Sequence, residues 1–146
     1  MRSSIAALLL AIASCPVSGE QGQAQFTVAV NVPVRVLLEV IEQPTELTLS
    51  AADVARGYKD VSARYRVRHN DRRGYLLQIA PRTGITSRID INGLGAEMTL
   101  RDEVLDVRRP GQTFEQELRL EFRFVLDAGV PSGTFELPVS VAAAPI

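Results

Sequence analysis

The side chains that could support catalysis are few, and they centre on one histidine. His69 is the only histidine in the chain, and Cys15 is the only cysteine. A nucleophilic site needs a serine or cysteine held against a histidine that a third group orients, and no Gly-x-Ser-x-Gly turn presents such a serine. Zinc needs three or four Cys, His or carboxylate ligands. We therefore expect no enzymatic activity, no metal and no cofactor, with His69 a solvated residue at a strand end.

Arg64, Arg66 and Arg68 form a regularly spaced charged cluster. Alternate side chains of a strand point to one face, about 6.6–6.8 Å apart, so the three guanidinium groups could bind an anion or a membrane headgroup. The alternative is a solvated face on which they pair with the alternating acids of residues 115–121, and cross-strand pairing of opposite charges is the commoner arrangement. The whole chain has 16 basic and 17 acidic residues, a balance that argues against a nucleic-acid partner.

The first 19 residues have the three-part layout of a secretory signal peptide. Arg2 precedes an uncharged apolar run of nine residues, 5–13, and small residues follow. That run is about half of the roughly 20 residues that a membrane-spanning helix needs. We expect export to the periplasm or surface of a bacterium, with cleavage after residue 19 or after residue 24. A cut before Cys15 is a third alternative, because residues 12–15 resemble a bacterial lipobox. The protein would then be lipidated on Cys15, and only in that case would it bind a membrane.

Residues 20–146 are expected to form a single domain whose strands are marked by apolar residues at every second position. Every even position from 26 to 40 is apolar, which predicts one long, half-buried first strand. Pro33 lies on its other face and has no N–H to donate. It therefore indicates a sheet edge, a bulge, or a point where the strand passes from one sheet to another. The domain contains no cysteine, so it cannot form an internal disulfide.

Further alternating runs predict the remaining strands, and Ser50 could cap one short helix near residues 51–56. Asn92-Gly93 predicts a hairpin between its two flanking strands, and the last two long runs are expected to form a terminal hairpin. About 8–9 strands predict an all-β fold, an immunoglobulin-like antiparallel β-sandwich. The strands predicted after the first one cover residues 45–49, 61–68, 74–80, 85–91, 94–100, 104–109, 114–126 and 135–141.

The two ends of this domain resemble those of a known family. Residues 26–32 (FTVAVNV) resemble the first strand of the spore coat U-type and archaic chaperone–usher pilus subunits of bacteria. Residues 130–141 (VPSGTFELPVSV) resemble the closing strand of the same subunits. The cysteine that usually follows the first strand in that family has no counterpart in residues 36–41.

The resemblance implies a role in assembly. In such pili, the N-terminal strand of one subunit inserts into a groove of an incomplete neighbour and extends its sheet. The residues that would fill the groove here are Phe26, Val28, Val30 and Val32. The protein would then be a non-catalytic envelope subunit whose partners are other copies, other envelope subunits or a periplasmic chaperone. The alternative is a self-contained sandwich with an ordinary first strand, acting as a solitary periplasmic or surface-anchored binding module.

Overall fold

The computed structural model describes residues 27–82 and 84–146. Val32–Ile146 forms one compact unit, and its described residues form ten strands and one short helix. In chain order these are β1 (Val36–Glu42), β2 (Glu46–Leu49), α1 (Ala51–Arg56), β3 (Tyr58–His69), β4 (Tyr75–Pro81), β5 (Thr86–Asn92), β6 (Met98–Leu100), β7 (Leu105–Arg109), β8 (Glu115–Leu126), β9 (Gly133–Glu136) and β10 (Val139–Pro145).

The strands form antiparallel sheets, which confirms the prediction of an all-β sandwich. Five strands are ordered β1-β3-β8-β5-β6, three are ordered β10-β4-β7, and β2 pairs with β9. The sandwich has one or two strands more than the sequence predicts, because the run near the C-terminus is divided into β9 and β10. Pro138 lies between these two strands, where its missing N–H interrupts the ladder.

The two longest strands, β3 and β8, form the centre of the core. Each has 12 residues, and they pair from Tyr58↔Val125 to Arg68↔Glu115. Every second side chain points inward, and burial of each large apolar one stabilises the fold by about 1.5–3 kcal/mol. The buried core includes Ala63, Tyr65 and Val67 of β3, Leu118, Leu120, Phe122 and Phe124 of β8, and Tyr75, Leu77 and Ile79 of β4.

The short helix α1 forms where the sequence predicts it. Ser50 caps it, since the Ser50 hydroxyl accepts a hydrogen bond from the Asp53 N–H at 3.2 Å and the Asp53 carboxylate accepts one from the Ser50 N–H at 3.0 Å. Lys59, Ser50 and Arg56 all donate to this carboxylate and hold the pKa of Asp53 well below its usual range. Gly57 ends the helix with φ 77°, a left-handed conformation that glycine adopts without strain.

The long first strand predicted over residues 26–40 is only partly correct. The strand begins at Val36, and residues 27–35 are in neither a strand nor a helix. Pro33 cannot donate to a ladder, and no described strand pairs with residues 27–35. Alternation shows which side chains are apolar, but a strand also needs a neighbour for its backbone hydrogen bonds.

The predicted terminal hairpin is wrong. β8 pairs with β3 and β5, whereas β9 pairs with β2 and β10 pairs with β4. After β8 the chain therefore leaves the five-stranded sheet and continues in the other two. The alternation of residues 114–126 and 135–141 correctly indicates strands and their inward faces, but it carries no information about which strands are neighbours.

The predicted hairpin at Asn92-Gly93 is correct in its two paired strands, but its predicted two-residue turn is wrong. β5 and β6 pair antiparallel, with Ile91 opposite Met98. The connection is longer than a two-residue turn, since β6 begins only at Met98. Gly93 has φ 106°, and a Cβ at this position would collide with the backbone carbonyl of Arg119. The glycine is therefore needed for a close backbone approach as well as for its conformation.

Candidate functional site

The inward face of β1 is less buried than the strand beside it. Among the described strands β1 is an edge strand, and its only partner is β3. Its inward-facing residue Leu38 lies opposite Val67 and is only partly buried, and Val40 lies opposite Tyr65 with 53% of its surface exposed. Both partners on β3 are completely buried. Residues that face the core are thus left uncovered on the side of β1 that has no neighbouring strand.

β10 shows the same pattern at the edge of the three-stranded sheet. Within the part of the chain that the structure describes, β10 pairs only with β4, where Val141 lies opposite Ile79 and Ala143 lies opposite Leu77. The two β4 residues are fully buried, whereas Val141 and Ala143 are only partly buried. The apolar face of β10 is therefore also uncovered on its free side.

These two uncovered edges lie next to each other. Some Cα atoms of β1 and β10 approach within 8 Å, yet no ladder joins the two strands. At one end lies a cavity of about 370 Å³, lined among others by Val40, Gln43, Leu137 and Val141. We call this site the β1–β10 groove, and its inward-facing lining consists of Val36, Leu38 and Val40 of β1 and Val141, Ala143 and Pro145 of β10.

A buried tyrosine lies on β3 beside the cavity end of the groove. Tyr65 lies opposite Val40, and its hydroxyl donates to Oε1 of Gln43 at 3.0 Å. Burial raises the pKa of Tyr65 to about 12, so the hydroxyl stays protonated at neutral pH and remains a donor. The Tyr65 hydroxyl is thus already hydrogen-bonded, and its acceptor Gln43 is one of the polar residues that line the cavity, with Thr45, Arg82 and Ser140.

The other end of the groove contains His69, and the prediction of a solvated histidine is wrong. His69 lies opposite Val36 and is only 5% exposed. Its ring packs against Tyr75 and Phe114, at centroid distances of 5.2 Å and 6.0 Å. Neither ring nitrogen has a hydrogen-bond partner among the described residues. The signal was present in the sequence, because His69 continues the inward parity of positions 63, 65 and 67.

Asn70 fixes the place where β1 begins. Its side-chain oxygen accepts a hydrogen bond from the Arg35 N–H at 2.7 Å, and its amide donates to the Pro33 carbonyl at 2.8 Å. The Asn70 N–H also donates to the Arg35 carbonyl at 3.3 Å. These three bonds satisfy backbone groups of Pro33, Arg35 and Asn70 just beyond the last ladder pair, Val36 and His69. From the sequence, Asn70 could be read only as a turn residue.

The residues predicted to fill a groove are apolar and exposed where they are described. Val28, Val30 and Val32 are all among the exposed large hydrophobic residues. Phe26 lies outside the described residues, as do Cys15 and the predicted signal peptide, residues 1–19.

The three arginines predicted as a possible anion site form a ladder of ion pairs. Arg64 lies 3.2 Å from Glu117, Arg66 lies 3.5 Å from Glu115, and Arg68 lies 2.9 Å from Glu115. Acids of β1 approach Arg64 and Arg66 from the other side. This is the cross-strand arrangement that the acidic alternation of β8 indicates, and it compensates the positive charge of β3.

Two general features can be stated for the described part of the chain. It contains no group of three or more His, Cys, Asp or Glu side chains placed to hold a metal ion. A search of the described helices finds none that is both long and apolar enough to span a membrane.

Comparison of the chain with protein-family models, with curated proteins and with solved structures finds no match.

Proposed function

We propose that this protein is a non-catalytic structural subunit of a bacterial envelope assembly, and that copies join by strand addition. Residues 26–32 of one copy would lie in the β1–β10 groove of the next. The observation that carries the proposal is the groove, where core-facing residues such as Val40 and Val141 are left uncovered between two unpaired edges. The resemblance of both chain ends to pilus subunits supports it independently.

The chemistry of the inserted segment matches that of the groove. Residues 26–32 are seven residues long, as are β1 and β10, so an extended segment of about 3.3 Å per residue would span the whole groove. Val28, Val30 and Val32 would share one face and contact the uncovered core, and each fully buried valine contributes about 1.5–3 kcal/mol. Their backbone groups would pair with the free edges of β1 and β10.

Strand addition requires the groove to widen. A strand inserted between two others places its neighbours about 9.6 Å apart, twice the ordinary strand spacing of about 4.8 Å, whereas parts of β1 and β10 lie within 8 Å of each other. Two edge strands with no ladder between them can separate without breaking sheet hydrogen bonds. Because the groove must still change its conformation before a strand can enter, we expect insertion to be slow compared with diffusion.

The experiment uses two defective variants that complement each other. In the full exported chain, Val28→Asp with Val30→Asp disables the inserting segment and leaves the groove intact. Val40→Asp places a charge in the groove and leaves the inserting segment intact. We expect each variant alone to be monomeric by size-exclusion chromatography with light scattering, whereas an equimolar mixture forms a heterodimer that cannot extend. The unmodified chain should form longer oligomers.

The matched control is Val104→Asp, because Val104 is 54% exposed and Val40 is 53% exposed. Val104 lies outside the groove, between β6 and β7, so Val104→Asp should oligomerise like the unmodified chain. Monomers from the unmodified chain, no heterodimer from the mixture, or equal loss of oligomers in Val104→Asp would each overturn the proposal. Monomers from the unmodified chain would favour the self-contained binding module.

The proposed compartment is tested separately. Mass spectrometry of the protein recovered from the bacterial envelope should find an N-terminus at residue 20 or residue 25. A lipid-modified N-terminus at Cys15 would instead indicate surface anchoring. Protein retained in the cytoplasm with Met1 and Arg2 still present would contradict export.

A further inference from the structure

A second arginine cluster lies at the loop that joins β3 to β4, and its arrangement differs from that of the ladder. Two segments, residues 71–74 and residues 108–112, together line an open cavity of about 620 Å³. Its lining residues are Arg72, Arg73, Arg108, Pro110, Gly111 and Gln112. Three arginines thus line one cavity, and we call it the arginine cavity.

Two glycines bring the segments together. Gly74 has φ 97°, and a Cβ there would collide with the backbone carbonyl of Arg109. A Cβ at Gly111 would collide with the backbone carbonyl of Arg72. The two segments therefore pack backbone against backbone, which only glycine permits at these positions. This contact holds Arg72 and Arg108, which are distant in sequence, at the same cavity.

The charge of the cavity is only partly compensated. Arg73 donates to the Asp71 carboxylate from Nε at 2.8 Å and from Nη2 at 2.6 Å, and this contact lowers the pKa of Asp71 below its ordinary value. Arg72 and Arg108 have no ion pair within the described part of the chain, whereas Arg64, Arg66 and Arg68 all have one. Two of the three arginines that line the cavity therefore have no carboxylate partner among the described residues.

We propose that the arginine cavity binds a phosphate group, with Arg72 and Arg108 as its principal ligands. A guanidinium group presents two parallel N–H donors that match the oxygens of a phosphate, and such charge-assisted bonds are stronger than neutral ones. The side-chain amide of Gln112 adds a further donor at the cavity wall. The phosphate could belong to a soluble molecule or to a lipid headgroup. The proposal is independent of strand addition, because none of these residues lines the β1–β10 groove.

The first experiment titrates inorganic phosphate against the folded exported chain at constant ionic strength, with chloride as the balancing anion. Calorimetry should show saturable binding, and thermal unfolding should shift to a higher temperature. Arg72→Gln and Arg108→Gln should each weaken binding about tenfold or more, as expected for loss of charge-assisted hydrogen bonds. Arg119→Gln is the control, since Arg119 is an exposed arginine on β8, away from the cavity, and it should leave binding unchanged.

The second experiment distinguishes the two sources of phosphate. Vesicles of phosphatidylglycerol are sedimented with the protein, and vesicles of phosphatidylcholine serve as the control. Sedimentation with the anionic vesicles that inorganic phosphate reverses would support a headgroup, and binding of inorganic phosphate alone would support a soluble phosphate. The proposal is overturned if neither probe binds, if chloride shifts the unfolding temperature equally, or if Arg119→Gln weakens binding as much as Arg72→Gln.

Discussion

Val67 and Val40 face the same core from adjacent strands, yet only one of them is buried. None of the surface of Val67 on β3 is exposed, whereas 53% of Val40 on β1 is exposed. The difference lies in their strands, because among the described strands β3 has a hydrogen-bonded neighbour on each side and β1 has one on a single side. The sandwich therefore has a closed side, built on β3 and β8, and an open side at the β1–β10 groove. A valine should therefore stabilise the fold much more on the closed side than on the open side.

The largest difference in the free energy of unfolding is expected when a valine is replaced by alanine on the closed side and on the open side. Val67→Ala removes two methyl groups from a fully packed site, so it should lower the free energy of unfolding by about 2–3 kcal/mol. Val40→Ala should lower it by less than about 0.5 kcal/mol in the monomer, because this side chain is half in water already. Urea denaturation of both variants, each made in the monomeric chain that carries Val28→Asp and Val30→Asp, measures the two values. Equal losses would show that the groove is closed in solution.

The hydrogen bonds that Asn70 makes at the start of β1 should stabilise the open side alone. Asn70→Ala removes the side-chain bonds to Arg35 and Pro33, and at this exposed site we expect a loss of about 1 kcal/mol in the free energy of unfolding. Hydrogen exchange should accelerate at the amides of β1 and stay unchanged at those of β3 and β8. Asn70→Asp, which keeps the acceptor for Arg35, should give an intermediate result. A uniform acceleration across all strands would show that Asn70 supports the whole sandwich.

The contrast between the closed side and the open side also explains which parts of this fold can be predicted from the sequence. A period of two assigns each side chain to a face, so the core residues of β3 and β8, such as Tyr65 and Phe122, follow directly from alternation. Helix α1 also follows, because its cap residues are local. By the same parity His69 belongs to the core. The prediction that His69 is solvated was wrong because it rested on the polarity of histidine and on the position at a strand end, and it neglected this parity.

The groove itself could not be predicted from alternation. Which strands are neighbours depends on residues that are distant in sequence, as the failed hairpin between β8 and the last run shows. A missing neighbour is harder still to predict, because Val40 on the open side and Val67 on the closed side have the same local pattern. The arginine cavity could not be predicted for the same reason. Arg72 and Arg108 are distant in sequence, and they line one cavity because the chain packs closely at Gly74 and Gly111.

His69 offers a finer test, since it lies where the closed side meets the end of the groove. Burial of a polar group without a partner is unfavourable, so His69→Leu should raise the free energy of unfolding by up to about 1 kcal/mol. His69→Gln, which buries an amide instead, should lower it. Thermal unfolding near pH 8 compares the two. A marked destabilisation by His69→Leu would show that the ring nitrogens have hydrogen-bond partners in solution.

The smallest effect is expected on the outer face of the closed side. Glu115 pairs with both Arg66 and Arg68, but all three side chains are partly or largely exposed, so Glu115→Gln should lower the free energy of unfolding by about 0.2–1 kcal/mol. The loss should nearly disappear in 1 M salt, where charges are screened within about 3 Å. Glu103→Gln in the loop between β6 and β7, an exposed acid with no ion pair among the described residues, is the matched control and should have no effect at either salt concentration. A loss that persists in high salt would mean that Glu115 contributes through packing. A loss that disappears would mean that Glu115 contributes through charge alone, and its small size beside the loss in Val67→Ala would show that burial in β3 and β8 contributes more than charge on their outer face.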